Sequence, residues 1–318
     1  MVTRSRWYRE QICIQRKTEY LRRKESLSIM MVNLFEPTPK QRGEKRSKKS
    51  KYTAPKQKIL NTERKREYFK ALVHCNFDED DYLIHKTFDK GMTLEEANRE
   101  WSNALGRINY RRKKAGLGNA RYILVMEGNH VEEKRIHFHI IIDGDLHRDI
   151  LEDVWKENGY INVRRLQFND EGVTGLVKYV TKELKEEEKK KKELGEDEDD
   201  GGTKAWRPSQ GLVKPKLKVR DYRFTKKQVM EWVRVHPSER EIEELYPGWT
   251  CTYINKKYDD KYGKAYMKIE LRKYEKNEKV DNGAAGGYEL VNGIQVNKTL
   301  YKPIKEKRKK GGILWSRK

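Results

Sequence analysis

The chain has 318 residues and a formal net charge of +22, with 38% charged and 35% hydrophobic residues. That leaves room for one fair-sized domain with extensions, or two small domains, and much solvated surface. No run approaches the ~20 apolar residues of a membrane helix, and Arg4, Arg6, Arg9 and Glu10 break up any secretory signal core.

The three cysteines (Cys13, Cys75, Cys251) are scattered and form no CxxC pair, so they argue against a zinc finger and read as reduced thiols of a cytoplasmic protein. Solubility alone needs far less charge than +22. Lys and Arg in such excess predict a polyanionic partner, nucleic acid first, bound by release of counterions from phosphates.

In chain order, the first thirty residues can form a helix with Trp7, Ile12, Ile14 and Leu21 partly buried. Lys40 through Lys58 is Lys/Arg-rich with almost nothing to bury, a disordered or groove-tracking stretch. Tyr68 through Phe77 reads as a first strand. Thr93 then caps a helix, with Glu96 closing a capping box. Leu94, Ala97, Trp101, Ala104, Leu105 and Ile108 recur on one face, and Gly116 follows the end.

Tyr122–Met126 and Ile136–Ile142 are strands two and three. Arg148 to Glu157 is a second helix, buried through Ile150, Leu151, Val154 and Trp155, and Tyr160 to Phe168 is a fourth strand. Val173 to Glu183 is a third helix, buried through Val173, Leu176, Val177 and Val180. The order β-α-β-β-α-β then helix predicts a ferredoxin-like α+β fold, an antiparallel sheet with both crossover helices on one face and the third helix on the other.

Residues 185–202 are a charge block and read as a solvated linker. Beyond it, Thr225 can cap a helix carrying Val229, Trp232 and Val233. Thr250–Ile254 and Ala265–Leu271 can pair as a hairpin around Asp259 and Gly263. The stretch from Lys302 to Lys318 is strongly basic and suits phosphates, with a plain disordered tail as the alternative.

Chemistry concentrates in three places. Residues two apart on a strand share a face, so His137 and His139 aim two imidazoles at one point while Phe138 turns away. A lone His-x-His pair means little. Folding the preceding strand back beside it can bring up Glu127, giving two nitrogens and one oxygen, with coordination positions left open. Glu127 can also be read as a turn residue ahead of Gly128-Asn129, and Glu132 and Glu133 are rival carboxylates in the loop. Such ligation suits Mn²⁺ or Mg²⁺, with Zn²⁺ also compatible by ligand type.

Tyr179 and Lys182 fall together beside the buried stripe of the third helix, and Gly175 leaves room on that flank. A phenol with a pKa near ~10 needs help to attack at neutral pH. Lys182 can favour the phenolate, or stabilise the charge that develops on a phosphodiester. The alternative is a boundary tyrosine beside a solvated lysine.

Together these residues resemble the HUH endonucleases, specifically the single-tyrosine rolling-circle replication initiators of phages, plasmids and small DNA viruses. Ile136-His137-Phe138-His139-Ile140 is similar to their His-hydrophobic-His motif, and Glu127 lies where their third metal ligand lies. Lys178-Tyr179-Val180-Thr181-Lys182-Glu183 looks like their Tyr-x-x-Lys motif. The resemblance covers roughly residues 66–186. It implies nicking of single-stranded origin DNA by Tyr179, a 5′-phosphotyrosine link, a free 3′-OH for a polymerase and a later strand transfer. It also implies that their first motif lies on the strand Phe69–Phe77, where no residue matches closely enough to carry over and His74 and Cys75 read as structural. A second tyrosine on the helix is missing, which argues against two-tyrosine initiators.

No GxxxxGK[ST] loop occurs, and Asn282 to Gly287 lacks the lysine of a phosphate loop, so a helicase would be borrowed from the host. A histidine-triad hydrolase would need a third histidine where Ile141 stands. The expected organisation is a basic extension (1–65), an endonuclease domain (66–186), a charged linker (187–204), a C-terminal α/β region (205–275) and a basic, largely flexible tail (276–318). Two alternatives remain at this point: a transposase or mobilisation relaxase of the same chemistry, and a single-strand-binding module that stacks bases on exposed aromatics without cutting.

Overall fold

The computed structural model describes residues 7–15, 25–37, 55–127, 135–155, 159–167, 177, 206–260, 263–276 and 288–297. Where an N-terminal helix was expected, there are two paired antiparallel strands, β1 (Trp7–Gln15) and β2 (Glu25–Phe35). The reason lies in the alternation of Tyr8, Glu10 and Ile12, all buried, with residues that are not. β2 buries Ile29 and Met31 as well as Met30, Val32 and Leu34, because both of its faces are covered.

The strand expected at Tyr68–Phe77 is also corrected. Pro55–Asn76 is one helix, α1. Phe69, Leu72, Val73 and Phe77, all buried, follow helical spacing and pack in one cluster. The first strand of the central sheet is instead β3 (Tyr82–Thr87).

From there the expected order holds. Helix α2 (Leu94–Lys114) starts at the Thr93–Glu96 capping box and buries Ala97, Trp101, Ala104 and Ile108. Then follow β4 (Tyr122–Glu127), β5 (His137–Ile142), α3 (Arg148–Asp153) and β6 (Tyr160–Arg165). The third helix expected at Val173–Glu183 lies outside the described residues except for Val177, which is helical and buried. The linker at 187–204 and the basic run Lys302–Lys318 also lie outside them.

β7 (Trp206–Pro208) adds to the free side of β4. It is followed by β8 (Lys216–Thr225), then α4 (Lys226–Arg234), capped by Thr225 as expected, and α5 (Glu239–Leu245), capped by Ser238. The expected hairpin is β9 (Thr250–Asp259) with β10 (Lys264–Lys276). A second hairpin, β11 (Tyr288–Val291) and β12 (Ile294–Asn297), falls within the tail expected to be flexible. It turns through Asn292 and Gly293, both at positive φ (50° and 76°), the conformations that tight two-residue turns require.

The architecture is mixed α+β with antiparallel sheets. One sheet runs β8-β1-β2-β10-β9, the other β6-β3-β5-β4-β7. In the second, α2 and α3 cover one face through Trp101, Ile108 and Leu151, packed on Ile84, Phe138 and Ile140, with Val296 of β12 closing the end. α1 and Val177 cover the other face, against Leu83, Ile123 and Ile141. The far side of α1 meets the first sheet, where the Lys268 ammonium donates to Glu67 at 2.6 Å and Lys70 pairs with Glu270 at 3.4 Å. One helix therefore serves two sheets. α4 and α5 cover the opposite face of the first sheet, around Tyr8, Ile12, Val32, Val229 and Ile242.

Candidate functional site

Strand alternation sorts β5 cleanly. Phe138, Ile140 and Ile142 enter the core beneath α2 and α3, so His137, His139 and Ile141 turn to the α1 side. The register fixes their neighbours. His137 stands between Thr87 on β3 and Glu127 on β4, and His139 stands between His85 on β3 and Val125 on β4. Farther along the same face the positions are apolar: Leu83, Ile123, Val125 and Ile141. The polar residues thus gather at one end of a hydrophobic face.

There, Nε2 of His139 is 2.8 Å from Oε2 of Glu127, and both residues are 6% exposed. Nδ1 of His139 is 2.7 Å from Nε2 of His85, with the two rings edge-on and their centroids 4.2 Å apart. Nδ1 of His137 is 3.0 Å from the Thr87 hydroxyl. β3 thus holds both site imidazoles through Nδ1, which turns Nε2 toward ligands, the usual way a supporting residue orients a ligating histidine. Burial, reinforced by His139, Arg164 and His137, lowers the His85 pKa to about 4. His85 is therefore neutral at physiological pH.

Among the described residues no three His, Cys, Asp or Glu side chains stand as a ready-made metal cluster. Glu127 and His139 face each other through a hydrogen bond instead. The donor set nevertheless fits a divalent ion, with two imidazoles presented by Nε2 and one buried carboxylate beside them.

β6 extends the face outward. Tyr160 lies across from Thr87, Asn162 from His85 and Arg164 from Leu83, and all three are exposed. Tyr179 and Lys182, the expected nucleophile and its partner, lie outside the described residues, as do Glu132 and Glu133. Val177, two positions before Tyr179 in the chain, packs on this same face.

His85 and Thr87 had escaped the sequence reading because the first strand was placed at 69–77. The available signal was the alternation of Tyr82-Leu83-Ile84-His85-Lys86-Thr87, which puts His85 and Thr87 on one face as surely as His137 and His139.

Residues 82–188, about a third of the chain, match a family model for replication-associated proteins of the ORF2 type. No curated protein and no solved structure matches the chain. No helix among the described residues is long and apolar enough to cross a membrane.

Proposed function

We propose that this chain is a rolling-circle replication initiator of the HUH type, which nicks single-stranded origin DNA with Tyr179 and later rejoins it. The observation that carries this reading is the convergence of Glu127, His137 and His139 on one face of adjacent strands, inside the stretch that matches a replication-associated family. Two features support it. The strands β6-β3-β5-β4, with α2 and α3 together on one face, have the order and layering of a ferredoxin-like sheet. Val177 brings the segment ahead of Tyr179 to the histidine-bearing face.

In this reading Glu127, His137 and His139 hold the metal, with His85 and Thr87 orienting the two imidazoles. Mn²⁺ or Mg²⁺ bound there supplies positive charge to the non-bridging oxygens and the leaving oxygen of the phosphodiester. The Tyr179 oxygen attacks phosphorus in line and loses its proton. The bond from phosphorus to the 3′-oxygen breaks, and that oxygen takes up a proton as the free 3′-OH. Lys182 stabilises the phenolate and the charge developing on the phosphate. The phosphotyrosine bond conserves the energy of the broken one, so attack by a 3′-OH reverses the step without ATP. Tyr160 and Arg164 on β6 offer an exposed ring and a cation beside the site for the incoming strand. A host helicase and polymerase supply unwinding and extension.

The test is incubation of the chain with single-stranded DNA and Mn²⁺, scored for a covalent adduct on a denaturing gel. The adduct should disappear in Tyr179→Phe while DNA binding persists. An adduct that survives the substitution overturns the assignment of the nucleophile.

A further inference from the structure

The outer side of β8 is a sheet edge on which no described strand pairs. Its residues divide by face. Lys216, Lys218 and Arg220 lie opposite Ile14, Ile12 and Glu10, on the side of α4 and α5, and all three are exposed. Leu217 and Val219 lie opposite Cys13 and Gln11 on the other side, 57% and 51% exposed. Tyr222 stands beyond them at 73% exposure, edge-on to Trp7 with ring centroids 6.2 Å apart.

Lysines alone on an edge strand are explained by protection against pairing with another chain. A protective edge has no reason to expose two aliphatic side chains and an aromatic pair on its other face. The backbone adds a second observation. Tyr222 adopts φ 73°, which bulky residues rarely do, at a register shift where β8 bulges against β1. Its neighbours are both held. Arg9 grips Asp221 with two hydrogen bonds of 2.7 and 2.8 Å, and Arg223 donates to the buried Glu10 at 2.8 Å. The ring between these anchors is turned out to solvent. Such a conformation persists where the surroundings over-determine it, and it collects at binding sites. Arg9 also neutralises Asp221, the one carboxylate of β8, so the edge is left positive.

We propose that this edge is a second DNA-binding surface, distant in sequence from the histidine site, which holds a single strand along β8. Lys216, Lys218 and Arg220 recur about every 6.6 Å along the strand, a spacing suited to successive phosphates of a stretched chain. Bases fold over the edge onto Leu217, Val219 and the Tyr222–Trp7 pair, which stacks them without reading sequence. A duplex keeps its bases stacked internally and would leave the apolar side unused. The inference rests on the proposed function only in taking single-stranded DNA as the substrate.

The test separates the two. Binding is measured by fluorescence anisotropy in the full chain carrying Tyr179→Phe, in EDTA, against a mixed-sequence single strand and the matching duplex. The combined variant Lys216→Glu, Lys218→Glu, Arg220→Glu should bind the single strand at least about tenfold more weakly, with a salt slope shallower by about 2 units for three lost phosphate contacts. Tyr222→Asn, which accepts the left-handed backbone, should weaken binding about fivefold or more without lowering Tm.

Unchanged affinity in both variants overturns the proposal, and so does a change of oligomeric state in place of a change in binding. Equal losses on duplex and single strand overturn the single-strand assignment. With Tyr179 intact, the three-residue variant should still form the covalent adduct at saturating DNA. If the parent chain forms no adduct while the binding losses appear, the nicking reading fails and this surface stands.

Discussion

His85 and His139 face each other across β3 and β5, with Nε2 of the first 2.7 Å from Nδ1 of the second. The pair fixes which nitrogen His139 can offer a ligand, since Nδ1 is occupied and Nε2 is turned toward Glu127. A residue that acts in this way should govern metal affinity without itself being a ligand.

His85→Ala is accordingly expected to weaken Mn²⁺ binding about 10–100-fold, measured by calorimetry or by the electron paramagnetic resonance of free Mn²⁺. His139→Ala should abolish the Mn²⁺-dependent rise in Tm, which for a bound ion at a hundred times its Kd is worth about 2.7 kcal/mol. Equal affinity in His85→Ala and the parent would show that His85 merely fills space.

Gly159 bears on the same corner of the sheet. It holds φ 95°, and a Cβ built there would lie 2.2 Å from the Thr87 carbonyl oxygen and 3.0 Å from two Phe88 backbone atoms. Gly159→Ala must therefore both strain its own backbone and push the end of β3 away. A loss of roughly 1–3 kcal/mol is expected from urea denaturation. Metal affinity should fall with it, because Thr87 is the residue that holds His137.

Much of this corner was legible in advance. The period of two placed His137 and His139 on one face, and the short connection between Tyr122–Met126 and Ile136–Ile142 brought Glu127 alongside. The capping box at Thr93 and the spacing of Ala97, Trp101, Ala104 and Ile108 fixed α2. What escaped was tertiary. Tyr68–Phe77 is almost wholly buried because α1 packs between two sheets, so its apolar residues form no single stripe and read as a strand. That error hid β3, and with it His85 and Thr87. The N-terminal strands were obscured because their partners, β8 and β10, come some two hundred residues later.

Buried charge ties α2 to the far end of β5. Arg112, 4% exposed, binds Asp143 and Asp145 together and donates from Nε to the Gly118 carbonyl at 2.6 Å. Asp143 also accepts from the Arg121 backbone N–H at 2.6 Å. Arg112→Met would strand two buried carboxylates, and a loss of about 3–5 kcal/mol is expected in chemical denaturation. Arg112→Lys should not restore it, since a single ammonium cannot bridge both carboxylates and the carbonyl as the guanidinium fork does.

The thiols give a prediction for alkaline pH. Burial raises both Cys13 and Cys251 to about 11, with Glu67 adding to the first. At pH 8 almost none of either is thiolate, the form that reacts. A disulfide reagent should therefore modify both slowly in the native chain, with a rate that climbs about tenfold per pH unit up to that point, and rapidly once the chain is denatured. The same shift acts on stability. In the unfolded chain these thiols ionise near ~8.5, so from there up to about 11 the unfolded state has lost protons that the native state keeps, and stability falls as pH rises. Buried Tyr266, raised to about 12, works in the same direction. Replacing Cys13 and Cys251 by Ala should flatten the decline between pH 9 and 11, followed by urea midpoints across that range. An unchanged slope would assign the whole effect to the tyrosines.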